Sequence, residues 1–81
     1  MHWNYRILKH KHENGDWFAV HEVYYNDKNK PIACSKDPDT LVAEDIKDIN
    51  GSLRLMKKAL NKPFLDYEYF GNLGKKGRKG K

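Results

Sequence analysis

The segment Trp17–Tyr25, Trp-Phe-Ala-Val-His-Glu-Val-Tyr-Tyr, constrains the chain more than any other. It is rich in aromatic and β-branched residues, which favour a pleated, half-buried strand. Turn formers bracket it. Glu13-Asn14-Gly15-Asp16 precedes it and Asn26-Asp27-Lys28-Asn29-Lys30 follows. Asn-Gly supplies the positive φ that a reversal between strands needs. Residues 3–10 alternate: Trp3, Tyr5 and Ile7 point one way, and Asn4, Arg6 and Leu8 the other. Residues 31–36 read as a third strand. Pro31 can only open it, because proline cannot donate to a ladder. Asp37-Pro38-Asp39 stops it. The three strands read as an antiparallel meander.

The hydrophobic period then changes. Ile46, Ile49, Leu53, Met56 and Leu60 recur at spacings of three and four, which is one face of a helix over roughly 45–61. Asp45 and Asp48 near its start and Lys57, Lys58 and Lys62 near its end suit the helix dipole. A later start, with Ser52 as N-cap, would avoid Gly51 inside the helix but would strand Ile46 and Ile49. Lys62-Pro63 ends the helix, since a residue before proline avoids the helical region. Phe64-Leu65-Asp66-Tyr67-Glu68-Tyr69-Phe70 alternates weakly and reads as extended. The expected fold is α+β: a three-stranded antiparallel β-meander packed on one C-terminal α-helix, followed by a disordered basic tail. The domain spans 1–70 and a flexible Gly/Lys-rich tail 71–81. The helix covers one sheet face. The other is bare, or covered by the 64–70 segment or by a partner. The seam predicts that Leu53 and Met56 are buried, and that Leu55 lies off it.

Eighty-one residues, 38% of them hydrophobic, support one small domain. The 10 aromatics strengthen a core that has only 17 Leu, Ile, Val and Phe residues. One cysteine excludes an internal disulfide framework and a multi-cysteine zinc site. No apolar run is long enough for a membrane span, and the first residues carry no apolar signal core, so a cytoplasmic protein is expected. The net charge of +5 is concentrated. Lys75, Lys76, Arg78, Lys79 and Lys81 equal the whole excess, and residues 1–74 are formally neutral. The chain reads as a neutral domain carrying a cationic string, which glycines and self-repulsion keep from ordering alone.

Several segments resemble a family of short uncharacterised bacterial and phage proteins. They are Trp3-Asn4-Tyr5-Arg6-Ile7, His21-Glu22-Val23-Tyr24-Tyr25, Asp37-Pro38, and Lys62-Pro63 with Leu65-Asp66. The resemblance covers residues 3–66 and implies a fold pattern without an assigned activity. Asn29 stands where that family usually has glycine, and asparagine also accepts positive φ. The 75–81 tail looks like an addition to the pattern.

No catalytic signature assembles. His10 and His12 share a strand face, and His2, His21 and Cys34 extend the set, but the spacing matches no zinc site and Lys9 and Lys11 repel a cation. No metal or other cofactor is expected. His21-Glu22 resembles the start of a zincin helix motif, but Tyr25 occupies the position of its second histidine and the segment reads as strand. His21 and Glu22 then face opposite ways, and an inward His21 reads as a hydrogen-bonded core residue. Cys34 reads as a small half-buried hydrophobe. Gly71, Gly74, Gly77 and Gly80 precede no helix and make no phosphate loop.

The aromatics carry the functional reading. Trp3, Tyr5, Trp17, Phe18, Tyr24 and Tyr25 all fall on the first two strands, and a sheet covered on one face cannot bury them all. The expected function is non-catalytic binding of nucleic acid or a nucleotide. Trp3, Tyr5, Arg6, Trp17, Tyr24 and Tyr25 contact the ligand, and Lys75, Lys76, Arg78, Lys79 and Lys81 of the tail attract it. Thin-core aromatics with wet polar tips are the plainer alternative. A protein–protein interaction module, such as a phage-encoded inhibitor of a bacterial host or defence protein, is the rival function. A protein partner or a homodimer would use the same aromatics. No membrane partner is expected.

Overall fold

The computed structural model describes residues 2–71 and the backbone of 75–76. Three long strands come first: β1 (His2–His10), β2 (Trp17–Tyr25) and β3 (Pro31–Ser35). They form the antiparallel meander read from the sequence. His10 pairs with Trp17 and His2 with Tyr25, so the first connection is the six-residue loop 11–16. Gly15 sits there at φ 132°, a value an L side chain rarely adopts. Asn29 takes φ 62° in the second turn, where Asn26 Oδ1 accepts from the amides of Lys28 and Lys30. A register shift at Tyr24/Tyr25 opens the β2–β3 ladder, and Pro31 occupies the first position of its strand.

Helix α1 (Ile46–Lys57) follows and tightens into a 3-10 turn, Lys58–Asn61. Asp45 is the N-cap; its carboxylate accepts from the Asp48 amide at 2.8 Å. The helix thus starts before Ser52 and passes through Gly51. Beyond its chain neighbours and the helix's own backbone, no described atom lies within 4 Å of where a side chain at Gly51 would begin. Lys62 leaves the helix extended, at φ −122° and ψ 153°, as the following proline requires.

The expected three-strand sheet is extended by later residues. Leu65–Asp66 (β4) pairs in parallel with Leu8 and Lys9, so the sheet is mixed. Tyr67–Gly71 is a 3-10 turn, which corrects the extended reading of that segment. The backbone of Lys75–Lys76 (β5) aligns in parallel with Cys34 and Ser35, giving the order β4-β1-β2-β3-β5. The rest of the tail expected to be flexible lies outside the described residues.

The β1–β2 register defines the two faces. His2, Asn4, Arg6, Leu8 and His10 share one with Tyr25, Val23, His21, Ala19 and Trp17. This is the core face. Leu8, Val23, Tyr25, Cys34 and Phe70 form its cluster, with Leu65 and Tyr67 packed against it. Its lid is the segment after the helix, one of the coverings anticipated for the face that the helix leaves free.

The helix corrects the expected seam. No residue of α1 is buried, and only Ala59 of the following turn is. Ile49, Ser52, Met56 and Ala59 turn inward, while Leu53 is 50%, Leu60 70% and Ile46 83% exposed. The period was right and the phase was rotated. The reason is the division of labour: the post-helix lid seals the principal core, and the helix only leans on β1.

The energetic consequence is direct. Phe70→Ala is expected to cost about 3–5 kcal/mol, the range for emptying a fully buried aromatic site. Leu53→Ala is expected to cost less than about 1 kcal/mol, because its side chain already meets water. Urea unfolding of the two variants checks this; a costlier Leu53 substitution would mean that the helix, and not the lid, closes the core.

Candidate functional site

The six residues read as one ligand-contacting set are divided by the pleat. Trp3, Tyr5 and Tyr24 lie on the outer face, where Trp3 is the register partner of Tyr24. Arg6, Trp17 and Tyr25 lie on the core face. Arg6 is buried: Nη1 donates to Tyr25 Oη at 2.9 Å and Nη2 to the Pro63 carbonyl at 2.8 Å, while its Nε has no partner among the described residues. Tyr25 in turn donates to Asn4 Oδ1 at 2.8 Å. Arg6 and Tyr25 therefore serve as internal ties. Trp17 stacks on His10, with centroids 3.9 Å apart and planes within 10°. The side chains of Lys75, Lys76, Arg78, Lys79 and Lys81 lie outside the described residues.

The outer face does hold a site. Trp3, Asn4, Tyr5, Leu55, Lys58 and Lys62 line a cleft of about 190 Å³ between β1 and the C-terminal end of the helix. Trp3 is 47% exposed and meets Tyr5 edge to face at 5.2 Å, which fixes its ring beside the opening. Alternation brings Trp3 and Tyr5 to one face, and the helix end before Pro63 brings Lys58 and Lys62 to the wall of the same cleft. Lys58 and Lys62 were legible only as dipole partners of the helix; their placement against β1 is tertiary. Tyr24, nearby on β2, donates to a Glu22 carboxylate oxygen. Burial, reinforced by that bond, pushes its phenol up to about 12.

A second constellation lies on the core face and was not assembled by sequence reasoning. His10 Nε2 and His21 Nε2 are 2.8 Å apart. His21 Nδ1 lies 3.0 Å from the Ser35 carbonyl and 3.1 Å from Ser35 Oγ. A carbonyl only accepts, so His21 carries its proton on Nδ1 and His10 donates from Nε2. Trp17 and Tyr67 stack on His10, the latter at 4.2 Å, and Tyr67 Oη donates to the Lys36 carbonyl at 2.9 Å. The lid is thus pinned to the sheet through a histidine pair. His21 is a hydrogen-bonded core residue, and Glu22 points the other way, toward Tyr24. From sequence, His10 belongs only to a metal set that matches no zinc spacing, and the direction of His21 stays open. In the register, His10 lies opposite Trp17 and His21 opposite Arg6, and it is the two side chains that meet across Ala19. Among the described residues, no group of three His, Cys, Asp or Glu side chains converges to hold a metal ion. Cys34 is fully buried.

Burial is the largest influence on His21 and lowers its pKa from 6.5; repulsion from His10 lowers it further, against the opposing pull of the Ser35 bond and Asp37. A histidine depressed in the folded state binds its proton more readily when unfolded. Its contribution to stability is complete above pH 6.5 and is lost as pH falls from there through the folded-state value. Wild-type stability should therefore drop more steeply with acidification through this window than that of His21→Gln. Denaturation midpoints across the window check the difference, and parallel profiles would show that His21 is not held neutral.

Among the described residues, no helix is long and apolar enough to cross a membrane. Comparison of the chain with known protein families, with curated proteins and with solved structures returns no match.

Proposed function

We propose that the protein is a non-catalytic binding module that holds a nucleobase and its phosphate at the outer-face cleft. The observation that carries this reading is the juxtaposition at the opening: a half-exposed Trp3 ring fixed by Tyr5, with Lys58 and Lys62 from the helix end. A base offers a flat π-face to an aromatic ring, and its phosphate needs cations nearby. One ring and two ammonium groups around one cleft supply both. Arg6, Trp17 and Tyr25, turned to the other face, are outside this contact set. The cationic tail adds long-range attraction.

Trp3 and Trp17 are the only tryptophans. Trp17→Phe keeps an aromatic stack on His10 and leaves Trp3 as the sole reporter. Titrating this variant with adenosine or uridine monophosphate to millimolar concentration should quench its fluorescence saturably. Lys58→Gln combined with Lys62→Gln should weaken the response about 5-fold or more, with the circular dichroism unchanged. Inert nucleotides would remove the reading.

A second reading, a protein–protein interaction module, is favoured by one specific observation. Val42, Ile46, Leu53 and Leu60 leave large apolar side chains exposed along the helix and the segment before it. Such a stripe suits a protein partner. Inert nucleotides together with a fluorescence change on protein association would favour it.

A further inference from the structure

The cleft does not end at its own rim. Lys58 is shared with a second groove, lined also by Arg54, Lys57, Leu60 and Asn61. Asn4 and Lys62 also border a third groove, but its other lining residues include His2, Arg6 and Tyr25, which belong to the core face. The first two, which share Lys58, make one track along the end of the helix beside the start of β1. No Asp or Glu lines any of them among the described residues. Arg54, Lys57, Lys58 and Lys62 make no ion pair with a described carboxylate.

Resting on the base-binding reading above, we propose that the natural ligand is a single-stranded polynucleotide, which places one base against Trp3 and runs its backbone along this track. Four cations exceed what one nucleotide phosphate can engage. Arg54 and Lys58 are one helical turn apart, about 6 Å along the axis, so they present charge in series and not at a point. A duplex keeps its bases stacked on one another and withholds the π-face that Trp3 needs, so single strands are selected.

The test uses the full chain carrying Trp17→Phe, with the tail present throughout so that its contribution is common to all variants. The probes are a thymidine and a uridine monophosphate, their 5-, 10- and 15-residue homopolymers, and a DNA duplex of matching length. Affinity should rise at least 10-fold from monomer to 10-mer, and the duplex should bind more weakly than the single strand. Arg54→Gln combined with Lys57→Gln should lower the slope of log K against log salt for the 10-mer by about 1.4, from about 0.7 per phosphate contact. The same pair should leave the monophosphate response unchanged, because neither residue lines the Trp3 cleft. Deoxyribose and ribose polymers together show which sugar is preferred. Equal affinity for monomer and polymer, an unchanged salt slope, or a duplex that binds as well as a single strand would each overturn the proposal while base binding stands. Monophosphates and polymers that are all inert would remove the base-binding reading and this one with it.

Discussion

The buried guanidinium of Arg6 is the tie on which the arrangement turns. It projects from the middle of β1 to Tyr25 on β2 and to the carbonyl of Pro63, where the chain leaves the helix. That carbonyl marks a crossing. The chain before it forms the helix beside the outer cleft; the chain after it passes along the β1 edge as β4 and becomes the lid on the core face. Hydrogen bonds to a charged donor are worth about 1.5–3 kcal/mol, more than most neutral ones. Their loss here would release the crossing as well as weaken the core. Lys58 and Lys62, just before the crossing, owe their place against Trp3 to the same anchor.

The core that this tie closes is unusually polar for its size. Beside Leu8, Val23 and Phe70 it holds Arg6, His10, His21 and Ser35. Polar groups in such a position are tolerable when partnered, and a partnered network fixes one geometry where an apolar core would allow several. The His10–His21–Ser35 chain fixes the lid in this way. Tyr67 can lie flat on His10 only when the imidazole stands in the orientation that its partner sets. A small domain short of aliphatic residues thus substitutes directional contacts for volume.

The meander, the helix span and its stop at proline were legible because each rests on local signals: alternation, capping and the restriction before proline. Residues 65–66 were read as extended, but their pairing with β1 was not legible, and the 3-10 turn of 67–71 was missed, because both are set by β1 and the core and not by their own pattern. Leu53 shows the same limit from another side. Its spacing announced a helix face, but a period cannot say which arc of the helix meets the sheet when the sheet has a second lid. Trp3 and Tyr5 do share the outer face, Trp3 half-exposed and Tyr5 half-buried. They were grouped with Arg6, Trp17 and Tyr25 because strand membership was read without register. The pairing His10↔Trp17 puts odd positions of β1 against even positions of β2, and that parity separates the two sets.

The lid has a consequence for how the chain becomes a domain. The meander precedes its lid in the chain, yet Phe70, fully buried in the meander's core, comes after the helix. Three strands must therefore wait, their inner face wet, until the helix and the crossing have formed. Contacts between β1 and residues some 60 positions later are costly to close and come late on the folding route. During that wait the strand edges later matched by β4 and β5 stand open, as templates for any other extended chain. Chains interrupted before residue 70 should accumulate as aggregates and not as a smaller native domain, because the lid that seals the core is then missing.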